Sequence, residues 1–170
     1  MLRPATDDDL AAMLTWRNQA TNREVSIHSH VIAPEEHRAW WDRVQDDPSR
    51  SVLVFEVDGR ALGVVTFFDV TADSAGWGFY LDAETLGAEG TIMIAWVKIM
   101  TEAVDHAFGE LGIETLAGEV LERNEAVRLM NRRFGFKEGS PEQRTVDGQT
   151  ITVIPITLLR SERPARKKTR

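Results

Sequence analysis

The segment Glu119-Val120-Leu121-Glu122-Arg123-Asn124-Glu125-Ala126-Val127-Arg128-Leu129-Met130-Asn131-Arg132-Arg133-Phe134-Gly135-Phe136 decides the reading of this chain. It reads as a buried strand end, an asparagine, a helix and a Gly-Phe stop. Asn124 can cap the helix because its side-chain oxygen accepts from a backbone N–H that has no partner in the first turn. Gly135 suits the left-handed residue that follows the last turn, where a Cβ is costly.

Working outward, Ile113 to Leu121 reads as the strand that feeds this helix. Before it, Ile92 to Leu111 is a long helix, with Ile94, Val97, Met100, Val104 and Phe108 at helical spacing as its apolar side and Gly112 as its stop. Gly76 to Leu81 is a strand whose two glycines, Gly76 and Gly78, point to a bulge or a close backbone approach. Ser51 to Val57 and Leu62 to Val70 form a hairpin about Asp58-Gly59. Leu2 to Ala5 is a short strand, and Thr6-Asp7-Asp8-Asp9 opens a helix with carboxylates at its positive end. Residues 21 to 33 are polar and irregular, and Pro34 begins a second helix carrying Trp40, Trp41 and Val44. Downstream, Phe136 to Val146 and Thr150 to Leu159 form a hairpin about Asp147-Gly148. The order βααβββαβαββ predicts an α+β (mixed α/β) fold, a twisted and mainly antiparallel sheet with helices on both faces.

The 170 residues suit one domain, read as residues 1–159, followed by a basic tail at 160–170 that is expected to be disordered. Arg160, Arg163, Arg166, Lys167, Lys168 and Arg170 give that tail its charge, so the body is more acidic than the whole chain's −7. An acidic body argues against broad nucleic-acid binding, which leaves only the tail for such contacts. The chain has no cysteine, which excludes disulfides, a thiolate nucleophile and Cys-ligated zinc, and suits a cytoplasmic location. The N-terminus lacks the apolar stretch of a signal peptide, and no apolar run approaches the ~20 residues of a membrane span. The four histidines show no metal-ligand spacing, so no metal is expected.

The Asn124-helix-Gly135-Phe136 unit, the segment Trp77-Gly78-Phe79-Tyr80-Leu81 and the Gly-bearing stretch Glu84-Thr85-Leu86-Gly87-Ala88-Glu89-Gly90-Thr91 together resemble the GNAT acyl-CoA N-acyltransferases. The resemblance covers residues 1 to about 159. It implies a central parallel pair of strands that splay apart, and transfer of an acetyl or other acyl group from acetyl-CoA (acyl-CoA) to a primary amine by direct attack in a ternary complex. It further implies that the pantetheine arm pairs with the strand edge Phe79-Tyr80-Leu81, and that backbone amides around Gly87, Ala88, Gly90 and Thr91 hold the pyrophosphate. Asn124 is then a donor contact as well as a cap. The stretch departs from the family pattern in lacking a basic residue and in placing Glu89 where the pyrophosphate is expected. The family's acid for the departing thiolate maps by this alignment onto Met130, which cannot transfer a proton. Either water or another group, such as Tyr80, would then serve.

For the base that deprotonates the amine, Glu119 ranks first, at a strand end beside the expected cleft, followed by His30 and His28 in the irregular loop. His37 and His106 read as structural or packing residues. Trp16-Arg17-Asn18, the Glu35-Glu36-His37-Arg38-Ala39-Trp40 helix and Glu119-Val120-Leu121 narrow the resemblance to the nucleotide-linked amino-sugar 4-N-acetyltransferases of the pseudaminic-acid pathway. The ribosomal-protein N-terminal (RimJ/RimL-like) acetyltransferases are a broader relative. That implies a small-molecule amine acceptor, such as a nucleotide sugar, contacted by Arg17, His30, Trp41 and Trp77, and, as in many relatives, a homodimer. Two alternatives stay open at this point: a protein N-terminal acetyltransferase, and a module of this fold that uses another acyl donor or lacks catalysis.

Overall fold

In a computed structural model, residues 1–164 are described. The strands are β1 (Leu2–Pro4), β2 (Ser51–Val57), β3 (Arg60–Phe68), β4 (Ser74–Leu81), β5 (Thr115–Leu121), β6 (Lys137–Glu138), β7 (Glu142–Val146) and β8 (Gln149–Leu159). The helices are α1 (Leu10–Asn18), α2 (Ala20–Glu24), α3 (Pro34–Val44), α4 (Ala83–Ala88), α5 (Ile92–Gly109) and α6 (Glu125–Arg133). All strands join one sheet in the order β1-β2-β3-β4-β5-β8-β6, with β7 also on β8. Neighbours are antiparallel except β4 and β5.

Alternation along the strands builds a core on each face. Phe55, Val65, Phe67, Trp77, Leu116 and Ile156 pack with Ile99, Met100, Ala103 and Ala107 of α5 and Met130 of α6. On the other face, Val52 and Val64 pack with Met13 and Trp16 of α1 and Trp41 and Val44 of α3. The expected fold class is the one found.

Several local expectations are corrected. Residues 20–24 form the short helix α2 where an irregular segment is expected, and the stretch read as a glycine loop is the helical turn α4. The strand expected over 136–146 is divided into β6 and β7 around Gly139-Ser140-Pro141, where proline has no N–H to offer β8. No bulge occurs at Gly76 or Gly78, since β3 and β4 keep register throughout. Gly76 is instead a close approach: a Cβ there would lie 2.2 Å from the Phe68 ring. Ile94 and Val97, expected in the core, are 60% and 45% exposed, because the side of α5 turned to the sheet carries Ala95, Ile99, Met100, Ala103, Val104, Ala107 and Phe108.

The first residues of the segment read as a tail contact the body. Arg160 donates to the Ile113 carbonyl at 2.8 and 3.0 Å and lies over the Phe108 ring, and Arg163 pairs with Asp105. Residues 160–163 are therefore docked on the body. The remainder of the tail, 165–170, lies outside the described residues.

Candidate active site

β4 and β5 pair only at Ser74↔Thr115, Ala75↔Leu116 and Gly76↔Ala117. Beyond Gly76 the two strands part, while β4 stays paired to β3 and β5 to β8 along their lengths. The edge of β4 from Trp77 onward thus faces a wedge and, among the described residues, has no strand partner on that side. Strand edges left this way present N–H and C=O groups ready to pair with an extended ligand.

The wedge opens into a cavity of about 350 Å³ lined by β4 from Trp77 to Leu81, by Gly118, Glu119 and Val120 of β5, by Asn124, Val127 and Asn131 of the α6 unit, by Ile92 and Trp96 of α5, and by Asn22 and Ser26. The Trp77 indole fills the crotch of the wedge, stacked on Phe79 and on Phe136. Gly118 makes room for it, since a Cβ at that position would lie 3.2 Å from its ring nitrogen. Asn124 caps α6 as expected, its side chain accepting from the Val127 N–H at 3.3 Å.

The amides expected to hold a phosphate are already used. The Leu86, Glu89, Gly90 and Thr91 N–H groups bond to Asp82, Thr85, Gly87 and Leu86 carbonyls, and Gly87 and Ala88 lie inside α4. None of Gly87, Ala88, Gly90 or Thr91 lines the cavity. The start of α4 is closed as well, because Asp82 accepts from the Thr85 N–H and the Gln19 side chain accepts from the Ala83 N–H. The uncommitted donors are one turn later. Gly90, at φ +69°, turns the chain into α5, whose N-cap Thr91 gives no side-chain bond. Among the described residues the first α5 amides, Ile92 and Met93, find no backbone acceptor, while Ile94 and Ala95 bond to the Thr91 carbonyl. Such a helix start attracts an anion. Glu89 is itself paired: Arg60, on the β2–β3 hairpin, holds it at 2.6 Å.

Other expected residues divide as follows. Tyr80 lines the cavity on the α1 face. Burial pushes its phenol well above the ordinary range, against the opposing charge of Arg17, so the hydroxyl keeps its proton. Arg17 donates to the His28 carbonyl at 2.7 Å through Nη2, whereas Nη1 is buried with no partner among the described residues. Glu119 lines the cavity, but both of its oxygens accept from Arg144, which also binds Glu142. Leu81 is a core residue, and its carbonyl accepts from Asn22 at 2.8 Å, which shortens the free edge of β4 by one residue.

Three assignments are corrected. Trp41 is 4% exposed, packed in the α1–α3 core with its indole N–H donating to Asp7, and is not available to an acceptor. His30 lies outside the wedge: it bonds Glu36 at 2.9 Å, stands 3.8 Å from Asp147 and borders a smaller pocket of about 110 Å³ that shares Ser26 with the wedge. Met130 is 4% exposed and points into the core, so the residue that α6 presents to the wedge is Asn131. His37 stacks on Trp40 and His106 on Phe67, and burial lowers both imidazoles, as packing residues. Among the described residues no cluster of three or more His, Asp or Glu side chains could hold a metal ion, and no helix is long and apolar enough to cross a membrane.

Asn22, Arg60, Arg144 and Asn131 went unmarked in the sequence. The first three act across distances of tens of residues, where spacing carries no signal. Asn131 sits within the deciding segment, and a polar residue on the apolar side of a helix was the available clue.

Comparison with known proteins completes the picture. The acetyltransferase (GNAT) domain family model matches residues 1–137. The chain belongs to that family. Acetyl-CoA is the acyl donor of its enzymes. Acetyltransferase PseH of Campylobacter jejuni subsp. jejuni serotype O:23/36 (strain 81-176) is 25% identical over 116 residues, 68% of this chain and 69% of that protein. The crystal structure of spermidine N-acetyltransferase from Vibrio cholerae in complex with CoA and spermine superposes with a TM-score of 0.80 at 17% identity, over 95% of this chain and 96% of that one. The structure of Campylobacter jejuni PseH in complex with acetyl coenzyme A gives 0.63 at 17% identity, over 94% and 99%.

Proposed function

We propose that this acetyltransferase-family protein transfers an acetyl group from acetyl-CoA to the primary amine of a small acceptor that also carries an anionic group, with a nucleotide-linked amino sugar as the leading class. The observation that carries the donor side is the parting of β4 and β5 beyond Gly76. The donor supplies an activated thioester. The chain's part is to pair its arm with the free edge of β4 at Phe79 and Tyr80, to set an anion against the start of α5, and to close the floor with Trp77.

The acceptor side rests on charge. Arg17 offers a buried guanidinium nitrogen beside Tyr80 that lacks a partner among the described residues. Arg23 and Arg123 line an open pocket of about 480 Å³ with Glu24 as its one acid; it shares Ser29 and Arg123 with the pocket that His30 borders, which in turn shares Ser26 with the wedge. An arginine fork suits a carboxylate or phosphate. A polyamine or a basic peptide would meet like charge there, which favours an anionic small molecule over a ribosomal-protein N-terminus. Glu119 is the proposed base, after release from the Arg144 fork, and Tyr80 the proposed neutral hydrogen-bond donor. The pairing of Glu89 with Arg60 removes one reason to read the fold as a module without catalysis.

A thermal-shift series tests this reading. Acetyl-CoA should raise Tm by mass action, and nucleotide amino sugars should raise it further while spermidine does not. Stabilisation by spermidine alone, or none by acetyl-CoA, contradicts it.

A further inference from the structure

We infer that the side-chain carboxamide of Asn131 binds the acyl end of the donor arm and supports the departing sulfur by a hydrogen bond without protonating it. This rests on the donor reading above. Asn131 is 2% exposed, yet it lines the wedge, and its carboxamide, which is not sealed from the cavity, makes no hydrogen bond among the described residues. Its backbone carbonyl is accounted for, accepting from the Phe134 and Phe136 N–H groups that close α6. A buried amide with neither its donors nor its acceptor matched is costly in a finished core. Placed in the wall of a binding cavity, it is instead a polar group waiting for a ligand.

Position along α6 says which part of the ligand. Asn124, Val127 and Asn131 all line the wedge, at the i, i+3 and i+7 spacing of one helix face. Asn124 follows the end of β5, at the wide mouth of the wedge where α5 also begins. Asn131 lies seven residues on, about 10 Å deeper at ~1.5 Å per residue. Phe136, five residues further, stacks on the Trp77 ring that fills the crotch. A donor whose charged end rests at the mouth therefore presents its far, thioester end to Asn131. As the amine nitrogen forms its bond to the acyl carbon and the carbon–sulfur bond breaks, the electron pair stays on sulfur. The amine proton goes to a base, and the thiolate leaves carrying its charge. A carboxamide N–H cannot give up its proton at neutral pH, but it stabilises that charge. A thiol pKa of ~8.5 makes such a departure feasible without a dedicated acid.

The test compares Asn131→Leu, close in volume but unable to hydrogen-bond, with Asn131→Asp. Without donor, Asn131→Leu should leave Tm unchanged or raise it, because no partner is orphaned. With donor, it should lower kcat by about tenfold or more and reduce the Tm shift from acetyl-CoA, leaving KM for the amine near wild type. Asn131→Asp sets a carboxylate against the leaving thiolate and should be slower still, least so at low pH. A fall in Tm without donor, with wild-type kcat and donor shift, would overturn the inference and make Asn131 structural. Failure of the wild-type protein to respond to acetyl-CoA would instead remove the donor reading itself.

Discussion

At the scale of single residues, what the sequence made legible was the type of residue and its local role. Asn124 caps α6 because its short side chain places an amide oxygen within reach of a first-turn N–H, a bond worth about 1 kcal/mol. Tyr80 and Glu119 both line the wedge, Tyr80 on the strand edge that the family resemblance implies and Glu119 near the end of the facing strand. What stayed hidden were partnerships over long sequence separations. Glu89 reads as hostile to a phosphate until Arg60 is seen to hold it. That pair gives a prediction. Glu89→Ala frees Arg60 beside the start of α5 and should tighten acetyl-CoA binding several-fold. Arg60→Ala should weaken binding, more so at low ionic strength, where an exposed carboxylate repels most. Calorimetry on both single variants and the double variant checks this. If Arg60→Ala is neutral in the Glu89→Ala background, Arg60 only neutralises Glu89; if it still weakens binding, Arg60 touches the donor.

At the scale of elements, the long, strongly patterned segments were readable and the short ones were not. The hairpin β2–β3, the helix α5 and the strand–helix unit β5–α6 follow directly from turn residues and period. The helix α4 did not: Asp82 offers a local cap, but the segment is only 6 residues long and its first amide is held by the side chain of Gln19, more than sixty residues earlier in the chain. The same limit explains why the phosphate-binding amides were misplaced: a glycine-bearing stretch looks like an open loop until its N–H groups are found in use. The wedge itself depends on one small residue. Gly118→Val would bring side-chain carbon against the Trp77 indole and Ile156. It should move Trp77, narrow the cavity and cost about 1–3 kcal/mol of stability. A chemical denaturation series together with acetyl-CoA titration checks this, with donor affinity expected to fall more than tenfold. Unchanged affinity would show that the crotch does not set the donor's place.

At the scale of the whole molecule, the fold brings its N-terminus onto the sheet through one charged cluster. Arg3 on β1 holds Asp9 at 2.8 Å and Glu56 of β2 at 2.7 Å. Hydrogen bonds from Arg3 hold the Asp9 carboxyl down at about 2, against the opposing effect of burial. A carboxylate with a depressed folded value stabilises the fold above its unfolded value of ~3.9, and that contribution fades as pH falls toward the folded value. Asp9→Asn should therefore cost about 1–2 kcal/mol at neutral pH after solvent screening. The difference from wild type should shrink between about pH 4 and pH 2. Urea denaturation across that range measures it, and a difference that stays constant with pH would refute the assignment.

The central claim is that the gap between β4 and β5 exists to receive the donor's arm. A crystal structure with acetyl-CoA tests it most directly. The arm should lie between the strands, bonded to the free edge of β4 at Phe79 and Tyr80, with its diphosphate at the Ile92 and Met93 amides and its thioester beside Asn131. A structure with the donor bound elsewhere, and the gap filled by side chains, would contradict the account.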